Sequence, residues 1–258
     1  MLDTRTHTFG DSQYIQTTDG RQLHDMENGA GEFTVVFESG MGLSRSTWGL
    51  VQPLVAKYAR AVVYDRAGTG RSQPDEAPRT LARITEDLAC LLNHLGTGPF
   101  ILVGHSWGGP IIRTAAAMNP AHIHGLVLVD PSDEHCGLYF EQSTVKHYAR
   151  MNKLIPLLAR TGLYRLMGSR PGRLLPKDVY KEHYKEDFTL QAARTMLAEG
   201  APFLEDLRAL REHPLKLEAI EVSVISGTQM SRMEQKFRPA LHEAHRQTVA
   251  ALARGRLI

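Results

Sequence analysis

The residues with the clearest chemical potential lie in a short glycine-rich segment, residues 104–109, which reads GHSWGG. An apolar run precedes it and a segment with helical character follows it. Serine two residues after one glycine and two before another, between a strand and a helix, predicts a turn so tight that the serine is strained. Gly104 and Gly108 leave room for that turn. We therefore expect Ser106 to project as a nucleophile, with helix N–H groups near a developing anion.

Five short apolar runs end in glycine-rich or charged residues, and they predict the strands that position this serine. They are residues 34–38, 61–64, 100–103, 125–129 and 222–225. Near-continuous apolar strands fit a parallel sheet that is covered on both faces. Residues 80–95 and 110–118 have the pattern of crossover helices. The predicted fold class is α/β, a doubly wound, mostly parallel sheet with ligands at the carboxyl ends of its strands.

Residues 134–214 interrupt this alternation of strands and helices. They are helical in character, contain several prolines and glycines, and show no obvious buried strand. We predict an inserted helical cap over residues 134–214, with residues 1–133 and 215–258 forming the core. Residues 140–185 contain ten Lys or Arg and three Asp or Glu. This excess of basic residues indicates either a helical face exposed to solvent or a cap that favours anionic substrates or surfaces.

Together, these motifs resemble the α/β-hydrolase superfamily over nearly the whole chain, with the cap region the least specific. Residues 39–42, SGMG, are similar to the family's loop after the third strand, which usually begins with His-Gly. Ser39 stands in place of that histidine. The resemblance implies that Met41 and Trp107 donate main-chain N–H groups to an oxyanion. Residues 65–72, DRAGTGRS, are similar to a further family segment that we interpret as a structural turn.

The resemblance also implies a carboxylate that orients a general base. Many relatives carry Gly-x-x-Asp after the strand that follows the cap, but residues 227–230 read GTQM, with methionine at the aspartate position. Some relatives place the acid one strand earlier, where Asp130 ends an apolar run. We predict Asp130 as the acid. Alternatively, Asp130 only caps the turn before Pro131, and Asp133 or Glu134 is the acid.

The general-base histidine has no candidate at the position that the resemblance implies. The family places it after the last core strand, and residues 255–258 look like the beginning of that strand. We expect the histidine beyond Ile258 and interpret the chain as C-terminally incomplete. His105 is expected to pack locally beside the nucleophile. His242 and His245 are either surface or packing residues on the last helix, or a recruited base.

Composition limits the other function classes. Thirty basic and 28 acidic residues leave a net charge of +2, so there is no global case for nucleic-acid binding. The N-terminus lacks the apolar core of a signal peptide, and no apolar run approaches the length of a membrane span. Cys90 and Cys136 show no metal-site spacing and give weak grounds for a disulfide. We expect a soluble, cytoplasmic protein, and the oligomeric state is left open.

The resemblance implies a serine hydrolase of small esters, lactones or related acyl substrates, without a metal or organic cofactor. Dehalogenases and epoxide hydrolases of this fold use an aspartate nucleophile, so Ser106 argues against both. C–C bond hydrolases, cofactor-free perhydrolases, aminopeptidases and acyltransferases stay open. A catalytically inert binding protein on the same fold is the alternative, favoured by the missing histidine and by Met230.

Overall fold

The computed structural model describes residues 7–217, 220–229 and 235–258. Eight strands form one sheet in the order β1-β2-β4-β3-β5-β6-β7-β8. Their bounds are β1 Asp11–Gln16, β2 Gln22–Asn28, β3 Thr34–Glu38, β4 Arg60–Tyr64, β5 Phe100–His105, β6 Ile123–Val129, β7 Glu221–Ile225 and β8 Gly255–Leu257. Strand β2 pairs antiparallel with β1 and β4, whereas the pairs from β4 through β8 are parallel. The predicted mostly parallel sheet is confirmed.

Helices pack against the sheet and fill the segment between β6 and β7. Their bounds are α1 Gln52–Val55, α2 Leu81–Leu95, α3 Gly108–Met118, α4 Gln142–Arg160, α5 Leu163–Gly168, α6 Lys177–Glu186, α7 Leu190–Gly200, α8 Phe203–Glu212 and α9 Phe237–Ala251. Both predicted crossover helices are present as α2 and α3. The helical insertion is also confirmed, as α4 to α8, and its bounds at residues 134 and 214 stay a prediction.

The parallel strands form where the sequence carries apolar runs, because β3 and β4 are buried on both faces and the other parallel strands from β5 to β7 are buried on at least one. Val36, Val62, Leu102 and Leu126 are almost completely inaccessible in one cluster beneath α2 and α3. The hairpin of β1 and β2 was not predicted from the sequence. Strand β2 buries His24 and Asp25, which a hydropathy pattern cannot indicate, since their partners lie elsewhere.

The inserted helices α6 and α7 are joined to the core by buried ion pairs. Arg45 pairs with Glu182 of α6 at 2.7 Å, and Arg66 pairs with Glu199 of α7 at 2.8 Å. By contrast, α4 has no buried residue along its 19 positions. Among the helices in the described ranges, none is long and apolar enough to cross a membrane.

Candidate active site

Ser106 occupies the sharp turn between the end of β5 and the start of α3. Its φ angle is 52°, in the left-handed region that non-glycine residues avoid at a cost of about 1–2 kcal/mol. The turn is held from both sides, since the Ser106 N–H donates to Val129 O at 3.1 Å and the Ser106 carbonyl accepts from Ser132 N at 2.9 Å. The strained elbow predicted from the sequence is therefore present, and the end of β6 stabilises it.

Two glycines permit the close packing around this elbow. A Cβ on Gly104 would lie 2.5 Å from the Gly108 carbonyl oxygen. A Cβ on Gly108 would lie 2.5 Å from the carbonyl oxygen of Glu38, the last residue of β3. Both distances are far shorter than any real contact, so the GxSxG spacing reflects close backbone approach as well as the turn itself.

The loop after β3, residues 39–42, lies against the elbow. A Cβ on Gly40 would lie 3.4 Å from Ser106 Cβ and 3.1 Å from His105 Nδ1. Neither the Met41 nor the Trp107 main-chain N–H donates a hydrogen bond to any residue in the described ranges. The described residues therefore leave both N–H groups unused, and their role as oxyanion donors stays a prediction. The Trp107 ring is fully buried and packs edge-on against Phe203 of α8.

Arg66 and Glu199 hold this loop, and neither was singled out from the sequence. Arg66 donates to the Ser39 and Gly40 carbonyl oxygens at 2.6 Å each, and Glu199 accepts from the Gly42 N–H at 2.8 Å. A planar trans peptide points its C=O and N–H in opposite directions, so fixing the Gly40 carbonyl on Arg66 turns the Met41 N–H away from Arg66. Burial alone would lower the pKa of Arg66, but Glu199 and Glu38 outweigh it and raise the pKa.

Asp130, the predicted acid, follows β6 at the carboxyl edge of the sheet and also has a positive φ angle, 46°. Its carboxylate accepts from Arg238 Nη1 at 2.5 Å and from the Gly227 N–H at 3.3 Å. The Asp130 side chain is 26% exposed and that of Arg238 is 16% exposed. The structure therefore places Asp130 where the sequence predicted, but its charged partner is a guanidinium on α9. Met230, the other position considered for the acid, lies outside the described residues.

The two alternative acids are engaged elsewhere. Asp133 accepts from Thr248 Oγ1 at 2.6 Å and from the His135 N–H at 2.9 Å. Glu134 accepts two hydrogen bonds from Arg113, at 2.7 and 2.8 Å, in a buried pair. Both carboxylates therefore stabilise the segment that leads into the inserted helices.

Two of the three histidines considered from the sequence, His242 and His245, form hydrogen bonds outside the elbow. His245 is fully buried, with Nδ1 2.9 Å from Ser226 Oγ and Nε2 2.8 Å from the Pro131 carbonyl oxygen. His242 Nδ1 also lies 2.9 Å from Ser226 Oγ. Burial lowers the pKa of His105, although the Asp130 carboxylate acts in the opposite direction. Within the described ranges, no imidazole hydrogen-bonds the Ser106 hydroxyl.

The described residues contain no cluster of three or more His, Cys, Asp or Glu side chains that could hold a metal ion. Cys90 and Cys136 are both free, and Cys136 is buried.

The sheet order and the helices inserted after β6 define the α/β-hydrolase class of folds. The model of the alpha/beta hydrolase family matches residues 35–257, and the chain belongs to this family.

Relatives and solved structures agree with this assignment. The chain is 31% identical over 141 residues to the uncharacterized protein YqjL of Bacillus subtilis, which covers 54% of this chain and 56% of that protein. It is 44% identical over 68 residues to lipase LipV of Mycobacterium tuberculosis, 26% of each chain. The matched parts thus span about half and about a quarter of these relatives. The Cif epoxide hydrolase of Acinetobacter nosocomialis has the same fold, with a TM-score of 0.74, 18% identity, and coverage of 96% of this chain and 81% of that one.

Proposed function

We propose that the protein is a serine hydrolase that acts on small esters, lactones or related acyl compounds through Ser106. One observation carries this proposal. Ser106 lies on a strained strand-to-helix turn, next to a loop and a helix start whose Met41 and Trp107 N–H groups are not used by the described residues. Turns of this kind hold nucleophilic serines in hydrolases, and free N–H groups beside them are suited to stabilising an oxyanion.

In the proposed mechanism, Ser106 Oγ attacks the substrate carbonyl carbon while a base removes its proton. The carbonyl oxygen becomes an oxyanion that accepts hydrogen bonds from the Met41 and Trp107 N–H groups. Loss of one such donor typically raises the barrier by about 2.7–4 kcal/mol. The base returns the proton to the leaving group, and water then releases the acyl group from Ser106 by the same steps. Asp130 orients the base, which requires Arg238 to give up part of its contact with that carboxylate.

Among the described residues, no side chain that could act as this base contacts the Ser106 hydroxyl. The family resemblance expects a histidine after β8, beyond Ile258. We therefore propose to assay the 258-residue protein and, where its gene continues past Ile258, the longer product as well. Activity confined to the longer product, if one exists, would support a histidine after β8.

The test is labelling with a fluorophosphonate probe, read by intact mass, together with turnover of a p-nitrophenyl ester. We expect one probe per chain and complete loss of both signals in Ser106→Ala. Ser143→Ala is the matched control, since Ser143 is exposed on α4, and it should behave as the unaltered protein. Labelling that persists in Ser106→Ala would contradict the proposal.

The alternative is an inert binding protein with the same fold. The Asp130–Arg238 contact favours this alternative, because Arg238 occupies the carboxylate that would orient a base. This function predicts no labelling and no turnover by any form of the protein. It further predicts that an unreactive amide analogue of a small ester raises the melting temperature. Turnover that depends on Ser106 would exclude it.

A further inference from the structure

One continuous segment of the inserted helices, residues 142–177, carries eight Lys or Arg and no Asp or Glu. The rest of the chain has 22 basic and 28 acidic residues, so the segment reverses the sign of the charge found elsewhere. Within the ranges that the structure describes, none of these eight cations forms an ion pair. We call residues 142–177 the acid-free segment.

The cations of α4 lie on one face of the helix. Lys146, Arg150, Lys153 and Arg160 are spaced by three, four or seven residues, which places them in one row along the helix. All four are exposed, and Leu157 lies in the same row between Lys153 and Arg160. The outward face of α4 is therefore a row of cations that includes an exposed leucine.

The acid-free segment also exposes an unusual number of leucines. Five of them are between 42% and 80% exposed, namely Leu154, Leu157, Leu163, Leu166 and Leu174. A single exposed leucine on a protein surface needs no explanation, but five within 21 residues, interspersed with arginines, do. The first four lie on α4 and on α5, which pack against each other.

We propose that the acid-free segment docks on the surface of an anionic phospholipid bilayer. Cations that no acidic side chain neutralises are attracted to anionic headgroups, at about 1 kcal/mol for each residue near the surface. Exposed leucines beside them can bury their side chains at the boundary between headgroups and acyl chains. A nucleic acid would use the cations but not the leucines, and a second copy of this chain in a symmetric pair would bring like charges together.

The experiment is co-sedimentation with vesicles of phosphatidylcholine, either alone or mixed with phosphatidylglycerol. The protein should bind the mixed vesicles and leave the neutral ones unbound, whether or not it has hydrolase activity. The triple variant K146Q/R150Q/K153Q should reduce binding about a hundredfold, since each cation contributes about fivefold. The variant L157E/L166E should also lose binding, because it removes two inserting side chains and adds negative charge.

Met118→Glu is the matched control. Met118 is 62% exposed at the end of α3, which starts at the elbow and runs toward the opposite edge of the sheet. This variant should bind as the unaltered protein does. The proposal is overturned if the protein binds neutral and anionic vesicles equally. It is also overturned if K146Q/R150Q/K153Q or L157E/L166E binds anionic vesicles as well as Met118→Glu does. Displacement of the protein from the vesicles by single-stranded DNA would overturn it as well. A further contrary result would be that L157E/L166E dissociates a dimer into monomers without weakening vesicle binding. The vesicle comparison uses the unaltered protein, so misfolding of a variant cannot hide a failure.

Discussion

The guanidinium of Arg66 and the carboxylate of Glu199 form a buried, two-point ion pair between the core and the inserted helices. The Nε–Oε1 and Nη2–Oε2 distances are both 2.8 Å. The pair holds the loop after β3 on both sides of Met41. Arg66 donates to the carbonyls of Ser39 and Gly40, and Glu199 accepts from the N–H of Gly42. The same ion pair therefore fixes the position of α7 on the core and the direction of the Met41 N–H, one of the two proposed oxyanion donors.

Glu199→Ala is expected to lower the free energy of unfolding by about 3–5 kcal/mol, because it leaves part of a buried guanidinium without its partner. It also leaves the Gly42 N–H without an acceptor. Urea denaturation measures the change. Glu205→Ala is the control, since Glu205 is exposed on neighbouring α8 and its loss should have little effect. A loss for Glu199→Ala no larger than the control's would show that the ion pair does not stabilise the fold.

Gly108→Ala is expected to destabilise the protein by at least about 1–3 kcal/mol, the usual range for overpacking. The new Cβ would lie 2.5 Å from the Glu38 carbonyl oxygen, and neither backbone can move without disturbing β3 or the elbow. Thermal and urea melts measure the effect. Gly137→Ala is the matched control, since no atom lies within 4 Å of its Cβ position. Equal stability of the two variants would contradict the close approach.

Ser106→Gly is expected to be about 1 kcal/mol more stable than Ser106→Ala. Both variants lack the hydroxyl, but glycine relieves the positive φ angle whereas alanine keeps the strain. The gain is partly offset by the greater freedom of glycine in the unfolded chain. Differential denaturation of the two variants measures this strain, and neither should react with the fluorophosphonate probe. A less stable glycine variant would mean that the elbow is not strained.

The Glu134–Arg113 pair predicts a loss of stability in acid. Burial alone would raise the pKa of Glu134, but the hydrogen bonds from Arg113 outweigh it and lower the pKa below its ordinary value. The folded-state pKa is thus below the unfolded value of about 4.3, so the stabilisation is fully present above that pH. It is lost as the pH falls through the folded-state pKa. The free energy of unfolding should decline over this range.

Glu134→Gln tests this pH dependence. The difference in unfolding free energy between the unaltered protein and Glu134→Gln should shrink as the pH falls below about 4.3, because the variant has no carboxylate to protonate. Glu141→Gln, at an exposed position before α4, is the control and should run parallel to the unaltered protein. A difference that stays constant with pH would show that Glu134 does not carry this linkage.

Much of the core could be predicted from the sequence, because its parallel strands carry short, mostly apolar runs. Strands β3 and β4 are almost wholly buried, whereas β5, β6 and β7 bury one face and leave part of the other exposed. The apolar runs mark these strands in the sequence, and the glycines around Ser106 mark the elbow. The β1–β2 hairpin has no such pattern. His24 is buried in β2, where its ring nitrogens contact Ser12 on the paired strand β1 and Asp65, which lies 41 positions away in the sequence.

The sequence by itself determined the fold class, the nucleophile candidate and the place of Asp130, since each depends on local spacing or on strand order. Only the tertiary structure decided what surrounds them. Arg238 meets Asp130 and Glu199 meets Arg66 across 108 and 133 positions of sequence, respectively. Ion pairs over such separations depend on how α9 and α7 pack on the sheet. No periodicity in the chain encodes that packing, because charged side chains follow the same pattern whether they face water or each other.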